Sequence, residues 1–273
     1  EPHKCSFVDL VSTAEAQPPK WFVSHAWSTP FSQTVSMLDF HVKSRDLPPT
    51  TAYWICTFAN NQHDLGELGG DVLQTPFAKA ILLPACVGTL LLVDANCTPM
   101  TRAWCVLEAW VTTIKATGKR FDVAAMIPEK TYMFADEWIE PGPALRMDLG
   151  NGAHKDVVGP ENGWFPGTVA TAGVAVKVEN ADASQKKDLE SILRILAGSD
   201  KDAPPPAHCQ GYDAVNKAYH ALFRGPAMYA FAMNGKSEEL RQLLEAGSEG
   251  VDYRNAADGS TPLFLAAGHG QEK

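Results

Sequence analysis

The chain has 273 residues and a formal net charge of -9 at pH 7, with 45% hydrophobic and 20% charged residues. This composition is typical of a globular protein with one large or two modest domains. Because the chain is acidic and has no long Lys/Arg cluster, we do not expect nucleic acid as its main partner. Its apolar runs are too short to predict a membrane-spanning segment.

The six cysteines bear on the redox compartment and on metal binding. They form no C-x-x-C pair and no Cys/His cluster with the spacing of a zinc site. Cys56, Cys86 and Cys105 lie within apolar segments, where a reduced thiol behaves as a small hydrophobic side chain. We therefore expect free thiols in a reducing cytoplasm and no metal site.

Strands and helices alternate in the first part of the chain. After a lead-in over residues 1–19, the aromatic and β-branched residues of 21–27 and 53–58 predict two buried strands. Between them, residues 30–45 carry apolar side chains at helical spacing, and the proline at the start of this segment suits a first helical turn. Residues 76–85 predict a second helix.

The segment Trp104-Cys105-Val106-Leu107-Glu108 opens a further helix, after an apolar strand over 87–93 and a polar loop over 94–100. Trp104 and Glu108 are four residues apart and therefore share a helix face. Glu108 is at the edge of the buried stripe, beside an indole. Partial desolvation there would raise the pKa of the carboxyl, as is common in active sites. The alternative is an ordinary surface glutamate beside a core tryptophan.

The rest of the first domain supplies two more predicted strands, over residues 121–126 and 174–178, and a helix over 184–196. Between the two strands, residues 128–172 are rich in Gly and Pro and predict an irregular insertion. Strands that alternate with helices imply a parallel sheet covered on both faces. We therefore predict an α/β fold with a flavodoxin-like, five-stranded parallel sheet in the order 2-1-3-4-5.

This strand order also predicts the position of a ligand site. In such sheets, ligands bind beyond the carboxyl ends of the strands where the order reverses, here between strands one and three. Polar residues follow both strands, and the loop after strand two could line the site or form a turn. Trp104 has an alternative place in the core, and Asp94 an alternative role as a cap. The candidate ligand-binding residues are Ser24, His25, Trp27, Asn60, Asp94, Arg102 and Trp104, and the candidate catalytic residue is Glu108.

A Pro-rich linker is predicted over residues 200–211, and only helical patterns follow it. Residues 258–270 follow the D-G-x-T-P-L-H-x-A-A-x-x-G pattern, with Phe264 in place of the histidine, and residues 235–247 match the second half of the same unit. Residues 212–273 therefore resemble ankyrin repeats. The resemblance implies a protein partner, and since the last unit is cut short, we expect more repeats to follow.

Residues 20–199 resemble a divergent TIR domain. The resemblance is carried by Phe22-Val23-Ser24-His25 and by the apolar strand, polar loop and W-C-x-x-E helix that end near Ala109. In TIR domains that cleave NAD, the glutamate of this motif is catalytic, which implies the same role for Glu108. The resemblance further implies signalling, self-association, and NAD as a substrate rather than a cofactor.

Cleavage of the bond between nicotinamide and ribose passes through a positively charged state at ribose C1, which a carboxylate such as Glu108 stabilises. Trp27 or Trp104 would stack on a ring of the ligand, and Ser24 and Arg102 would meet phosphate oxygens.

Two other functions remain open. One is a catalytically inactive adaptor that acts through protein contacts. The other is a cysteine hydrolase that pairs Cys97 with His25 or His63.

Overall fold

A five-stranded sheet forms the centre of this computed structural model. It describes residues 4–12, 17–63, 72–94, 96–127, 130–134, 146–148, 154–156, 166–200, 203–247, 250–254 and 259–268. The strands are β1 (Trp21–His25), β2 (Tyr53–Ile55), β3 (Gly88–Val93), β4 (Arg120–Ile127) and β5 (Lys130–Phe134). Their order is β2-β1-β3-β4-β5; the first four are parallel, and β5 is antiparallel to β4. The predicted α/β class with a parallel sheet is confirmed for these four strands, an arrangement compatible with a flavodoxin-like fold.

Ten helices are described around this sheet. Their bounds are α1 (Phe7–Val11), α2 (Phe31–Ser44), α3 (Cys56–Ala59), α4 (Pro76–Leu82), α5 (Ala103–Trp110), α6 (Gly167–Val174), α7 (Lys186–Ala197), α8 (Gln210–Met233), α9 (Ser237–Ala246) and α10 (Pro262–Gly268). The start of α4 shows how the local sequence sets such a boundary. Thr75 accepts a hydrogen bond from the backbone N–H of Ala78, and Pro76 occupies the first turn, because a proline there loses no intrahelical bond.

The fifth parallel strand predicted over 174–178 is wrong. Helix α6 ends at Val174, and a 3-10 turn spans Val178–Asn180. Side chains of α8 bind the backbone groups that a strand would use for pairing. Asn216 Oδ1 accepts from the Val178 N–H at 2.8 Å, and the ring of His220 contacts the carbonyl of Val176 at 2.5 Å. The valines are therefore buried against α8 and not within the sheet.

The edge strands differ from the prediction in two further ways. The strand predicted over 53–58 ends at Ile55 and turns into α3, since an edge strand has pairing bonds on one side only. At the other edge, β5 lies inside the stretch predicted as an irregular insertion. Only residues 128 and 129 separate it from β4, and so short a connection requires antiparallel strands. Two more short strands of the insertion pair with each other, β6 (Arg146–Asp148) and β7 (His154–Asp156).

Both faces of the sheet are covered, because side chains alternate along each strand. On one face, Trp21 and Val23 of β1 pack with Met37 of α2. On the other face, Phe22 belongs to the main core, to which α4 and α5 contribute. Strands β1, β3 and β4 are thus buried on both sides, the edge strand β2 is partly buried, and α5 lies on the same face as Phe22.

A buried polar network joins α2 to the amino-terminal half of the sheet. His41 Nε2 contacts Asp122 Oδ2 at 2.9 Å, and His41 Nδ1 contacts the Tyr53 hydroxyl at 2.7 Å. The guanidinium of Arg45 forms an ion pair with the same carboxylate and lies over the ring of Trp21. Because His41 and Asp122 are fully buried, the stability of this contact depends on every partner being present.

Helix α8 links the sheet domain to the C-terminal helices. Tyr212, Tyr219 and Phe223 of its first half belong to the main core, and its second half packs on α10. A Cβ added to Gly211 would lie 2.2 Å from the carbonyl oxygen of Leu196, so α8 starts in direct backbone contact with α7. The linker predicted over 200–211 includes two residues outside the described range, and it does not coincide with the edge of the main core. The division into two domains stays a prediction.

Helix α10 begins with a local cap formed by the T-P-L tripeptide. Thr261 Oγ1 accepts from the backbone N–H of Phe264 at 3.2 Å, and Pro262 is the first residue of α10. The ankyrin-repeat assignment itself stays a prediction. All six cysteines are free thiols. In the described part of the chain, every helix is too short or too polar to span a bilayer.

Candidate active site

The candidate site is built around a buried contact between β1 and α5. Ser24 lies on the same face of β1 as Phe22 and pairs in register with Leu91 of β3, while Glu108 lies in the last turn of α5. The Ser24 hydroxyl donates a hydrogen bond to Glu108 Oε2 at 2.5 Å. Only 5% of Glu108 is exposed. The two residues therefore meet near the carboxyl ends of the strands, where the strand order reverses, as the predicted topology required.

Burial controls the charge of Glu108. Desolvation raises the pKa of this carboxyl to about 8, and the hydrogen bond from Ser24 opposes the rise. The free protein at neutral pH thus holds mostly the protonated acid. The direction matches the prediction, and its cause is the deep burial of the carboxyl.

Two thiols border the carboxyl and complete a neutral environment. Burial is the main cause, and the nearby Glu108 the second, that raises the pKa of Cys56 to about 12 and that of Cys105 well above its ordinary value. The Cys105 thiol donates to the carbonyl oxygen of His25 at 3.7 Å. Both thiols are therefore protonated and are poor nucleophiles.

The helix that carries Glu108 changes its winding just beyond it. After Trp110, the turn Val111–Lys115 is π-helical, and the Thr112 hydroxyl donates to the carbonyl oxygen of Glu108 at 2.8 Å. Short π-turns inside helices occur frequently at functional sites. This change of winding is a second local feature that singles out this part of α5.

Trp27 and Asn60 both contact Cys56, the first residue of α3. The Trp27 indole N–H donates to Cys56 Sγ at 3.1 Å, although 63% of this residue is exposed. Asn60 is buried at the end of α3, and its backbone N–H donates to the Cys56 carbonyl at 3.1 Å. The structure thus brings these two predicted ligand residues to the same short helix near Glu108, with the indole available for stacking.

The other predicted ligand residues make contacts within the protein. Trp104 stacks on Phe77 with centroids 5.2 Å apart and packs against the core. Asp94 Oδ1 accepts from the backbone N–H groups of residues 96 and 98, so it caps its loop. Arg102 forms an ion pair with Asp182 at 3.3 Å. For Trp104 and Asp94, these contacts match the structural alternatives noted from the sequence.

His25 and Cys97 bear on the cysteine-hydrolase alternative. Alternation along β1 places His25 on the face of Trp21 and Val23, opposite to Ser24, and burial lowers the pKa of its ring. Burial and the charge of Asp94 raise the pKa of Cys97. A protonated thiol lacks the nucleophilic form that this mechanism requires.

Sequence reasoning missed three residues as site residues. Cys56 and Cys105 border Glu108, and Tyr219 of α8 borders Cys105. Cys105 was treated as part of a motif, and Cys56 as a core thiol. The spacing of Tyr212, Val215 and Tyr219 would have predicted a buried helix face, but not which part of the sheet it meets. Across the described ranges, no group of three or more His, Cys, Asp or Glu side chains is arranged to hold a metal ion.

Compared with protein-family models, curated proteins and solved structures, the chain gives no significant match. Its function is therefore inferred from the geometry of Glu108 and its neighbours.

Proposed function

We propose that the protein is a TIR-like signalling enzyme that hydrolyses the nicotinamide–ribose bond of NAD, with Glu108 as the catalytic residue. The observation that carries the proposal is the buried Ser24–Glu108 hydrogen bond near the carboxyl ends of β1 and β3. This is the region where open α/β sheets bind nucleotides, and a carboxyl with a strongly raised pKa is a frequent mark of an active site.

The reaction requires a negative charge next to ribose C1. Nicotinamide leaves with the electron pair of the C1–N bond, water adds to C1, and one proton is released to solvent. The carboxylate of Glu108 would accept a hydrogen bond from a ribose hydroxyl and stabilise the positive charge that develops at C1. Ser24 positions this carboxylate by donating to one of its oxygens.

The substrate itself would favour the charged form of Glu108. The pyridinium ring of NAD is positively charged, and an opposite charge within a few ångströms lowers the pKa of a carboxyl. Since only 5% of Glu108 is exposed in the free protein, the loops around it must separate before a ribose can reach it. The exposed indole of Trp27 offers a stacking surface at this entrance.

The direct test measures nicotinamide release from NAD by the wild-type protein and by Glu108→Ala. Several protein concentrations are used, so that an effect of the expected self-association is included. We expect a loss of about 100-fold or more for Glu108→Ala, the usual effect of removing an electrostatic catalytic group. Glu190→Ala, on the outer surface of α7, is the matched control. Equal release by wild type and Glu108→Ala, or no release by the wild type, would contradict the proposal.

A second candidate, an inactive adaptor, is favoured by an exposed aromatic cluster of Phe7, Phe31 and Phe58. The rings of Phe7 and Phe31 lie 5.6 and 5.8 Å from that of Phe58, and both residues are more than half exposed. Exposed apolar clusters of this kind often mark protein contacts. If light scattering shows self-association that Phe31→Ser abolishes and the control Leu83→Ser leaves intact, while no nicotinamide is released, the adaptor is the better assignment.

A further inference from the structure

Tyr219 carries a buried hydroxyl group that has no hydrogen-bond partner among the described residues. Only 2% of this residue is exposed, so water is not a ready substitute. An unpaired buried hydroxyl costs free energy, and such groups in native proteins call for a specific explanation, such as a bound ligand. The ring is held in place by stacking on Phe223, with centroids 5.3 Å apart.

The hydroxyl lies beside the candidate active site. Helix α8 packs on α5. Besides burial, two nearby thiols contribute to the raised pKa of Tyr219, Cys105 of α5 and Cys97 of the loop after β3. Cys105 is one helical turn before Glu108 and contacts the end of β1. Tyr219 therefore lies, from the side of α8, next to the segment that joins the end of β3 to the start of α5.

The chemistry around Tyr219 favours a neutral group as its partner. Burial keeps the phenol protonated by raising its pKa, and Cys105 is protonated as well. Arg102, the cation whose charge reaches Cys105, is paired with Asp182. A carboxylate or phosphate placed here would be desolvated, and it would have to share a cation that is already paired. A carbonyl oxygen, in contrast, needs only one O–H donor.

We propose that the Tyr219 hydroxyl donates a hydrogen bond to the carboxamide oxygen of the nicotinamide ring. The inference rests on the proposed function, and it assigns to α8 a contact that selects the leaving group. Glu108 would hold the ribose, and Tyr219 would hold the neighbouring base.

Tyr212 provides a matched control on the same helix. Its hydroxyl is also buried without a partner in the described part of the chain, but its neighbours are Cys209 and Glu179 and not the residues around Glu108. Both Tyr→Phe variants remove one unpaired hydroxyl, so each should be at least as stable as the wild type. A difference between the two in ligand binding would therefore report position and not folding.

The test is a cycle that removes the hydroxyl from the protein and the carbonyl from the ligand. Binding of nicotinamide and of pyridine is measured by NMR for the full wild-type chain, Tyr219→Phe and Tyr212→Phe. We expect Tyr219→Phe to weaken nicotinamide binding about tenfold and to leave pyridine binding unchanged, since only nicotinamide has the carbonyl. Tyr212→Phe should bind both probes as the wild type does.

The outcomes separate this inference from the proposed function, because binding of nicotinamide needs no catalysis. Nicotinamide binding that depends on Tyr219, without NAD cleavage, would support the contact and refute the hydrolase. Equal losses for both probes, no loss for either, or no binding of nicotinamide by the wild type would overturn the contact. If any of these three results is found and NAD is still cleaved, the hydrolase proposal stands but the Tyr219 contact does not.

Discussion

Replacing Glu108 by glutamine should make the protein more stable at alkaline pH. The folded protein holds the Glu108 proton up to a pKa of about 8, whereas the unfolded chain releases it near 4.5. Below pH 4.5 both states are protonated. Between 4.5 and 8 the unfolded chain loses the proton while the folded protein keeps it, so the free energy of unfolding falls as the pH rises. Above pH 8 the penalty is constant.

The magnitude follows from the difference between the two pKa values. Each pKa unit corresponds to about 1.4 kcal/mol, so the wild type loses at most about 5 kcal/mol between pH 4.5 and pH 8 through this one group. Glutamine keeps the acceptor for the Ser24 hydroxyl and carries no charge at any pH. The stability difference between Glu108→Gln and the wild type should therefore grow with pH and level off above pH 8.

Urea unfolding at half-unit steps from pH 4.5 to pH 9 measures this difference. The titration of groups that do not interact with Glu108 is shared by the two proteins and cancels in the comparison. Glu190→Gln, which removes a carboxyl from the surface of α7, should show no such growth with pH. Parallel stability curves for Glu108→Gln and the wild type would refute the assignment of a strongly raised pKa, and with it the reasoning from burial.

Three further predictions concern single contacts. Ser24→Ala removes a hydrogen bond that lowers the pKa of Glu108. In the wild type, kcat/KM for nicotinamide release should rise with pH through about pH 8, and in the variant this rise should occur at a higher pH. An unchanged pH profile would show that Ser24 does not act on the carboxyl. Asp122→Ala leaves Arg45 and His41 buried without their carboxylate, and should lower the free energy of unfolding in urea by about 3 to 5 kcal/mol. Asp39→Ala, in the exposed pair with Lys43, should lower it by less than about 1 kcal/mol. Similar losses for the two variants would contradict this view of the network. Gly211→Ala places a Cβ 2.2 Å from the backbone of Leu196 and should lower Tm, whereas Gly268→Ala, with open space around it, should not. An equal Tm for the two variants would argue against close packing of α7 and α8.

The position of the Ser24–Glu108 contact was predictable because it depends on strand order and on side-chain alternation. Apolar runs identified β1, β3 and β4, and the order 2-1-3-4 brings the end of β1 beside the helix after β3. The same alternation, applied one residue further, would have placed His25 on the opposite face. The depth at which Glu108 is buried was not predictable, because it depends on how closely α3 and α5 approach β1.

The errors arose where distant segments decide the local structure. Residues 174–178 have the composition of a strand, but Asn216 and His220 of α8 bind their backbone and prevent pairing. Strand β5 was missed because it lies at the start of residues 128–172. The many Gly and Pro residues later in this stretch led to the prediction that all of it is irregular. Tyr219 was missed for the same reason: its helix pattern shows which face is buried but not which part of the sheet it meets.

The continuous course of α8 limits how this protein can be divided. A chain cut in the Pro-rich segment over 200–211 would lose α8 and with it the side chains that α8 contributes to the main core. The apolar surface exposed in this way would make the shortened protein prone to aggregate. The same helix continues through Pro226 from the main core to the contacts with α10. A partner that binds the C-terminal half of α8 would therefore act on a helix whose first half is part of the main core.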